Sequence, residues 1–229
     1  MSLDPQLALG PGPHTLVRRL AERARYDRAT VQAILDEAWM CHLASCEDGW
    51  PSVLPMLYVR EGDFLYLHGA PANHSLRSAE AATAACVTVT LVDGLVLARS
   101  AFHHSVNYRS VVAFGTAREV TDVGEKKRAF LALVDHVVPG RARDARPPTP
   151  EEIRATRLTK FEIEEASAKI RTGGPKEEPE DLALAIAGGR PIWAGQLPLS
   201  VVAGKPVPDD QGPLPPEVPD YVARYGQRA

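Results

Sequence analysis

Three stretches of this chain read as strands, and almost nothing separates them. Met40–Cys46, Ser52–Arg60 and Phe64–His68 are divided by Asp48-Gly49, a strong two-residue hairpin signal, and by Glu61-Gly62-Asp63, a second tight turn. Strands joined this closely pair antiparallel, because a parallel crossover needs a dozen residues or more. The same grammar returns later. Ala85–Val92 and Leu95–Ala101 flank Asp93-Gly94 and predict another hairpin, Arg109–Val120 is a long strand rich in Val and Phe, and Leu158–Ser167 alternates as a closing strand. Helices fall between groups of strands rather than after each one. Asp27 caps a helix that turns Val31, Ile34, Leu35 and Ala38 inward, and Asn73–Ala82 is a short Ala-rich helix with Asn73 or Ser75 as its cap. Gly124–Val137 presents Phe130, Leu131, Val134 and Val138 on one side, and Thr149-Pro150-Glu151-Glu152 opens a fourth helix. About seven strands with three or four attached helices exclude a doubly wound parallel fold and predict a mainly β chain, an antiparallel barrel with attached helices.

Prolines mark where that core stops. Residues 5–13 hold three, 139–150 hold four and 191–219 hold eight, and the run from Pro206 to Pro219 can form neither a helix nor a central strand. The expected organisation is an N-terminal tail over 1–26, one domain over 27–202 and a Pro-rich C-terminal tail over 203–229. With 26 basic and 29 acidic side chains the net charge is −3, which argues against a nucleic-acid protein working through a basic face. No run of about 18 apolar residues suggests a membrane span, and Met1-Ser2-Leu3-Asp4-Pro5 does not open like a signal peptide, so a cytoplasmic location is expected. Cys41, Cys46 and Cys86 read as reduced thiols, two of them in the core; Cys41 and Cys46 fall on opposite faces of one strand.

Four segments carry polar residues that a strand-and-loop scaffold does not need. Leu67-His68-Gly69 runs through a small-residue loop into Asn73-His74-Ser75-Leu76-Arg77, a helix start whose free N–H groups and dipole suit a phosphate. Phe102-His103-His104-Ser105-Val106-Asn107-Tyr108-Arg109-Ser110 is a dense polar constellation between apolar strands. His103 and His104 point to opposite faces, which makes them poor joint metal ligands, and no metal site is expected, while Arg109 has the fork to meet a phosphate bidentately. Pro55, inside Ser52–Tyr58, marks an edge or a place where backbone groups are left free to read a planar heterocycle. Glu164–Pro175, with Ile192-Trp193-Ala-Gly195, offers a basic loop and an exposed Trp. Hydrolase chemistry lacks its signatures, since there is no G-x-S-x-G elbow and no P-loop.

The stretch Val96-Leu-Ala-Arg-Ser-Ala-Phe-His-His-Ser-Val-Asn-Tyr-Arg-Ser-Val-Val-Ala-Phe-Gly115 resembles the signature of flavin-nucleotide-binding proteins in the pyridoxamine 5′-phosphate oxidase-like superfamily. Glu165–Gly173 and Trp193-Ala-Gly-Gln-Leu-Pro198 resemble later motifs of the same family, so that the likeness covers roughly residues 27–202. The resemblance implies a split β-barrel, a homodimer and FMN at the dimer interface. By position it implies that Pro55, Met56, Leu57 and Tyr58 line the flavin ring with backbone. His68, with Asn73, His74 and Ser75, would reach the ribityl chain and phosphate, and Asn107, Arg109 and Ser110 would contribute from the other side. No Arg-Leu-His-type motif follows Trp193, and Asn73-His74-Ser75 stands where true pyridoxamine phosphate oxidases favour Ser-Arg-Lys, so the chain resembles the nitroimidazole-reductase-like branch more. The function this implies is an FMN-dependent oxidoreductase passing hydride or electrons between a nicotinamide nucleotide and a small-molecule acceptor, with His104 and Tyr108 as candidate proton donors. The alternatives are a flavin-binding carrier, sensor or structural dimer without turnover, or a barrel holding haem or a deazaflavin.

Overall fold

The computed structural model describes residues 8–183, 191–209, 219, 220 and 222. Most of the Pro-rich C-terminal tail, including residues 210–218, therefore lies outside the described residues. Among the described residues one eight-stranded sheet forms: β1 (Ala24–Arg25), β2 (Met40–Glu47), β3 (Trp50–Glu61), β4 (Phe64–Gly69), β5 (Ala85–Leu97), β6 (Ser105–Glu119), β7 (Arg157–Arg171) and β8 (Gly195–Pro198). The order is β1-β7-β4-β3-β2-β5-β6, with β8 on β5, and a further β7–β6 pairing closes it on itself as a barrel topology requires. Its helices are α1 (Arg28–Glu37), α2 (His74–Ala81), α3 (Val123–Val137), α4 (Pro150–Arg154) and α5 (Pro179–Ala183). The mainly β, antiparallel class expected from the turn spacing is the class observed.

The chain divides into two compact units, through both of which β2, β5, β6 and β7 run. The first holds 1–42, 86–115 and 163–200. Here the Asp27 carboxylate accepts from the Thr30 amide at 2.8 Å, and hydrogen bonding from the Thr30 side chain, with that backbone bond, holds its pKa below the usual range. Val31, Ile34 and Leu35 are buried, as their spacing predicts. Residues 8–26, expected as a tail, are bonded in: Leu9 donates to Tyr26 and accepts from Ala166, and β1 pairs with β7 at Ala24↔Lys169.

Asp93-Gly94 is not a hairpin turn. β5 continues straight through it, and Gly94, Leu95, Val96 and Leu97 pair with Pro198, Leu197, Gln196 and Gly195 of β8. Two features favour extension over reversal: Arg109 holds the Asp93 carboxylate, and Gly94 lies so close to β8 that a Cβ would come within 2.9 Å of the Leu197 carbonyl. β6 and β7 also outrun their expected bounds, beginning at Ser105 and ending at Arg171.

The second unit holds 43–85, 116–162 and 201–229. Its turns are those read from the sequence, with Asp48 and Gly49 at φ +50° and +80° and Gly62 at +63°. β3 pairs with β4 from Tyr58↔Leu67 to Glu61↔Phe64, and β4 pairs with β7 from Phe64↔Glu162 to Gly69↔Arg157. β4 is covered on both faces, which is why Leu65, Tyr66 and Leu67 are consecutively buried. Thr149 and Glu152 form a full capping box at α4. α3 turns Lys126, Ala129 and Leu133 fully inward, while Phe130, Leu131, Val134 and Val138 are only half-buried. Polar anchors set that rotation, because Lys126 Nζ donates to the Thr156 carbonyl at 3.0 Å and Glu125 accepts from the Tyr66 hydroxyl at 2.6 Å.

All three cysteines are free. Cys41 is buried and Cys46 exposed, the opposite-face arrangement their odd spacing predicts; Cys86 is half-buried, so a single thiol is fully in the core rather than two. Burial pushes the Cys41 thiol up to about 12.

Candidate functional site

The expected flavin-contacting residues fall into both units. In the second unit, Pro55 is exposed, Met56 and Tyr58 are buried and Leu57 is half-buried. The β3–β4 register begins at Tyr58, so Pro55–Leu57 lie beyond that ladder. β3 sits between β4 and β2, and Pro55 stands on the part of it that the β4 ladder does not reach. Ser52 and Ser75 hydroxyls meet at 3.2 Å, which ties this strand to the start of α2. Asn73 caps that helix, its Oδ1 accepting from the Leu76 amide at 3.0 Å, and a Cβ on Gly69 would approach Asn73 Nδ2 to 2.9 Å. The structure thus brings the Pro55 strand, the end of β4 and the Asn73–Ser75 helix start to one place. His74 points elsewhere, exposed, with Nε2 3.2 Å from Glu47.

His68 is the unusual member. Among the described residues its Nδ1 is buried without a hydrogen-bond partner, and its ring stands edge-on to Phe130 at 6.5 Å. Burial lowers its pKa below the ordinary 6.5. The unfolded chain therefore binds the proton first, so stability is complete above about pH 6.5 and declines as pH falls from there through the lower folded value. Urea unfolding of wild type between pH 7 and 5 is expected to show this decline, and His68→Gln to flatten it. The lowered carboxylates, such as Glu125, titrate only below this window. An equal slope in the variant would remove His68 as its source.

In the first unit, Asn107 is 8% exposed and lies in a network not anticipated from the sequence. Its Nδ2 donates to Gln196 Oε1 at 3.0 Å, and its Oδ1 accepts from Arg171 Nη1. Arg171, 6% exposed, gives its other bonds to the Gly173 and Gly174 carbonyls at 3.1 and 3.2 Å. Burial and the like charge of Arg23 lower its pKa. The signal for Arg171 was its place at the end of an alternating strand just before Thr-Gly-Gly, where free carbonyls await a donor.

Arg109 does not extend an open fork towards a phosphate. Its Nε and Nη2 donate to Asp93 at 3.0 and 2.7 Å, and Nη1 and Nη2 donate to Glu37, bonds that raise its pKa further. The bidentate face is taken by carboxylates. Ser110 Oγ donates to the Lys169 carbonyl at 3.4 Å, Tyr108 is half-buried, and His104 is exposed with Nδ1 3.0 Å from the Ser100 carbonyl. Among the described residues no group of three or more His, Cys, Asp or Glu is placed to hold a metal ion.

Residues 27–170 match the family model for pyridoxamine 5′-phosphate oxidase, and the chain belongs to that family. The flavocytochrome Anf3 from Azotobacter vinelandii is 36% identical, with a TM-score of 0.83 over 93% of this chain and 97% of that one. The FAD and haem binding protein from Mycobacterium smegmatis is 32% identical, with a TM-score of 0.80 over 89% and 97%. A 5-nitroimidazole antibiotic resistance protein from Bacteroides thetaiotaomicron shares the fold at 22% identity and a TM-score of 0.55, over 64% of this chain and 86% of that one. No curated protein matches the chain. No helix among the described residues is long and apolar enough to cross a membrane.

Proposed function

We propose that this chain is a flavin-binding redox protein that also holds haem, and that it moves electrons from a reduced nicotinamide nucleotide to a small-molecule acceptor. The observation that carries this reading is the likeness, at 36% and 32% identity over 93% and 89% of the chain, to a flavocytochrome and to an FAD and haem binding protein. The name of the second of those relatives favours FAD over the FMN implied by the sequence motif. Bound flavin would supply hydride acceptance and haem one-electron chemistry; the protein binds, orients and shields them.

The residues fit a flavin. Among the described residues the Nδ1 of His68, near the end of β4 and beside Phe130, has no partner, and a buried polar atom left alone costs about 1–3 kcal/mol unless a ligand group meets it. Backbone of Pro55–Tyr58, the polar groups of Asn73 and Ser75, and Asn107 and Ser110 are the proposed contacts, while His74 is turned away to Glu47. Arg109 serves through the cluster that ties α1 to β5 and β6, and its Ala variant is expected to retain less flavin. Full yellow colour and unchanged affinity in that variant would remove Arg109 from the site. A homodimer in the cytoplasm is part of the proposal, resting on the family resemblance. The test is an absorbance spectrum of the purified full chain, with released chromophores identified by mass. Flavin bands together with a Soret band are expected, and a protein that takes up neither added flavin nor added haemin overturns the reading.

A further inference from the structure

We infer that the loop Arg18–Arg25 is a docking surface for an acidic electron-carrying protein. That the partner carries electrons rests on the redox reading above; the charge of the surface does not. The loop holds four arginines and one acid, Glu22, in a chain whose net charge is −3. It is tied at its ends and seated on β7. The Val17 amide donates to the Tyr26 hydroxyl at 2.9 Å, Lys169 Nζ donates to the Arg19 carbonyl at 3.2 Å, and β1 pairs with β7 at Ala24↔Lys169. Arg18, Arg19 and Arg25 are exposed, and Arg23 and Lys169 are half-buried. Among the described residues no carboxylate pairs with any of these cations; Arg25 gives Nη1 to the Glu22 and Ala24 carbonyls at 2.9 and 2.7 Å, which places the guanidinium and leaves its charge uncompensated. Elsewhere Arg99, Arg109, Arg128, Arg146 and Arg157 each hold a carboxylate. The loop is thus a positive patch on a chain that carries net negative charge.

Charge alone would admit a lipid surface or a nucleic acid, and the other side chains of the loop decide for a protein. Leu16 and Leu20 are 53% and 37% exposed, and Leu20 is held at φ +55°, a backbone that leucine adopts against its preference. Exposed apolar side chains alongside arginines match the make-up of a protein interface, where guanidinium groups are frequent anchors. A membrane-surface anchor needs an amphipathic helix with Trp or Phe, and a single-strand binder needs aromatic platforms for the bases. This loop has only the three-residue turn Ala21–Arg23 and no aromatic residue. Guanidinium forks pair bidentately with Asp and Glu side chains, so the complementary face is rich in carboxylates. Charge steering speeds encounter without a large interface, which suits a carrier that must dock, pass its electron and leave.

The experiment uses the full-length, flavin-loaded protein and two acidic probes, a plant-type ferredoxin and a flavodoxin. Binding to each probe, and the rate at which each reduced probe reduces the flavin, are recorded at about 20 and about 200 mM salt, on either side of the ionic strength that screens exposed charges within about 10 Å. Wild type is expected to bind at least one probe and to lose about tenfold in rate at the higher salt. Arg18→Glu/Arg19→Glu is expected to lose about tenfold already at low salt, and Arg143→Glu/Arg154→Glu, exposed arginines outside the loop, to stay within about twofold of wild type. The Lys169 bond uses the Arg19 backbone and survives the substitution, so flavin content and reduction by dithionite should match wild type in both variants. An Arg18→Glu/Arg19→Glu protein that matches wild type, or a wild type that binds neither probe, overturns the inference. Tighter binding to phosphatidylserine vesicles or to single-stranded DNA than to either probe overturns it as well, by giving the loop another class of partner. A chain that binds no flavin overturns the redox reading, while probe binding on the same samples still decides whether the loop docks an acidic protein.

Discussion

Phe161→Ala is expected to lower the unfolding free energy by about 4 kcal/mol, because removing a fully buried phenyl ring loses its transfer free energy and leaves a cavity that neighbours fill only in part. Phe161 has no exposed surface and pairs with Leu65, also fully buried, across β4 and β7. β4 has protein on both faces, Tyr66 and Leu158 belonging to one packed cluster and Leu65 and Leu67 to the opposite face, so little slack exists for collapse into the void. Urea unfolding should show a lower midpoint with an unchanged slope. A loss below about 1 kcal/mol would mean that the site relaxes freely, which is contrary to close packing.

The parts of this fold that were legible in the sequence are those decided locally. Asp48-Gly49 and Gly62 adopt positive φ where the turns need it, Asp27 and Asn73 cap their helices, and Thr149 with Glu152 closes a capping box. What escaped was decided at long range. Whether Asp93-Gly94 reverses or continues depends on Arg109 and on Leu197, about a hundred residues on, and no local pattern reports either. The inward face of α3 follows Lys126 reaching Thr156, a preference that apolar spacing misplaces by one position. At the candidate site, motif and turn chemistry singled out Pro55–Tyr58 and Asn73–Ser75 in the sequence, and the tie between their strand and helix through Ser52 and Ser75 was not read there. The Arg171–Asn107–Gln196 network was not, because its three members come from separate strands of the sequence.

Glu80→Ala is expected to cost about 3 kcal/mol, the loss typical of removing one partner from a largely buried ion pair and leaving its charge behind. Glu80 lies on α2 with 9% of its side chain exposed, and it accepts from Arg157 Nε at 3.0 Å, from Arg157 Nη2 and from the Thr159 hydroxyl. These bonds pin α2 to β7 and push the Arg157 pKa further up. In the variant Arg157 keeps Glu119 at 2.8 Å, but Glu119 is 38% exposed and so only partly replaces what is lost. The consequence reaches function through geometry. α2 begins at the Asn73–Ser75 segment proposed to face the flavin, so a loosened α2 shifts Asn73 from its place beside Gly69 and Ser75 from the Ser52 hydroxyl. Glu80→Ala should therefore lose both thermal stability and retained flavin, whereas Phe161→Ala, assayed well below its melting temperature, should lose stability first. Glu80→Gln separates the contributions, because it keeps a hydrogen-bond acceptor for Arg157 while removing the charge, and it should fall between wild type and the Ala variant. Full flavin retention in Glu80→Ala, despite the lost stability, would show that α2 does not position the cofactor.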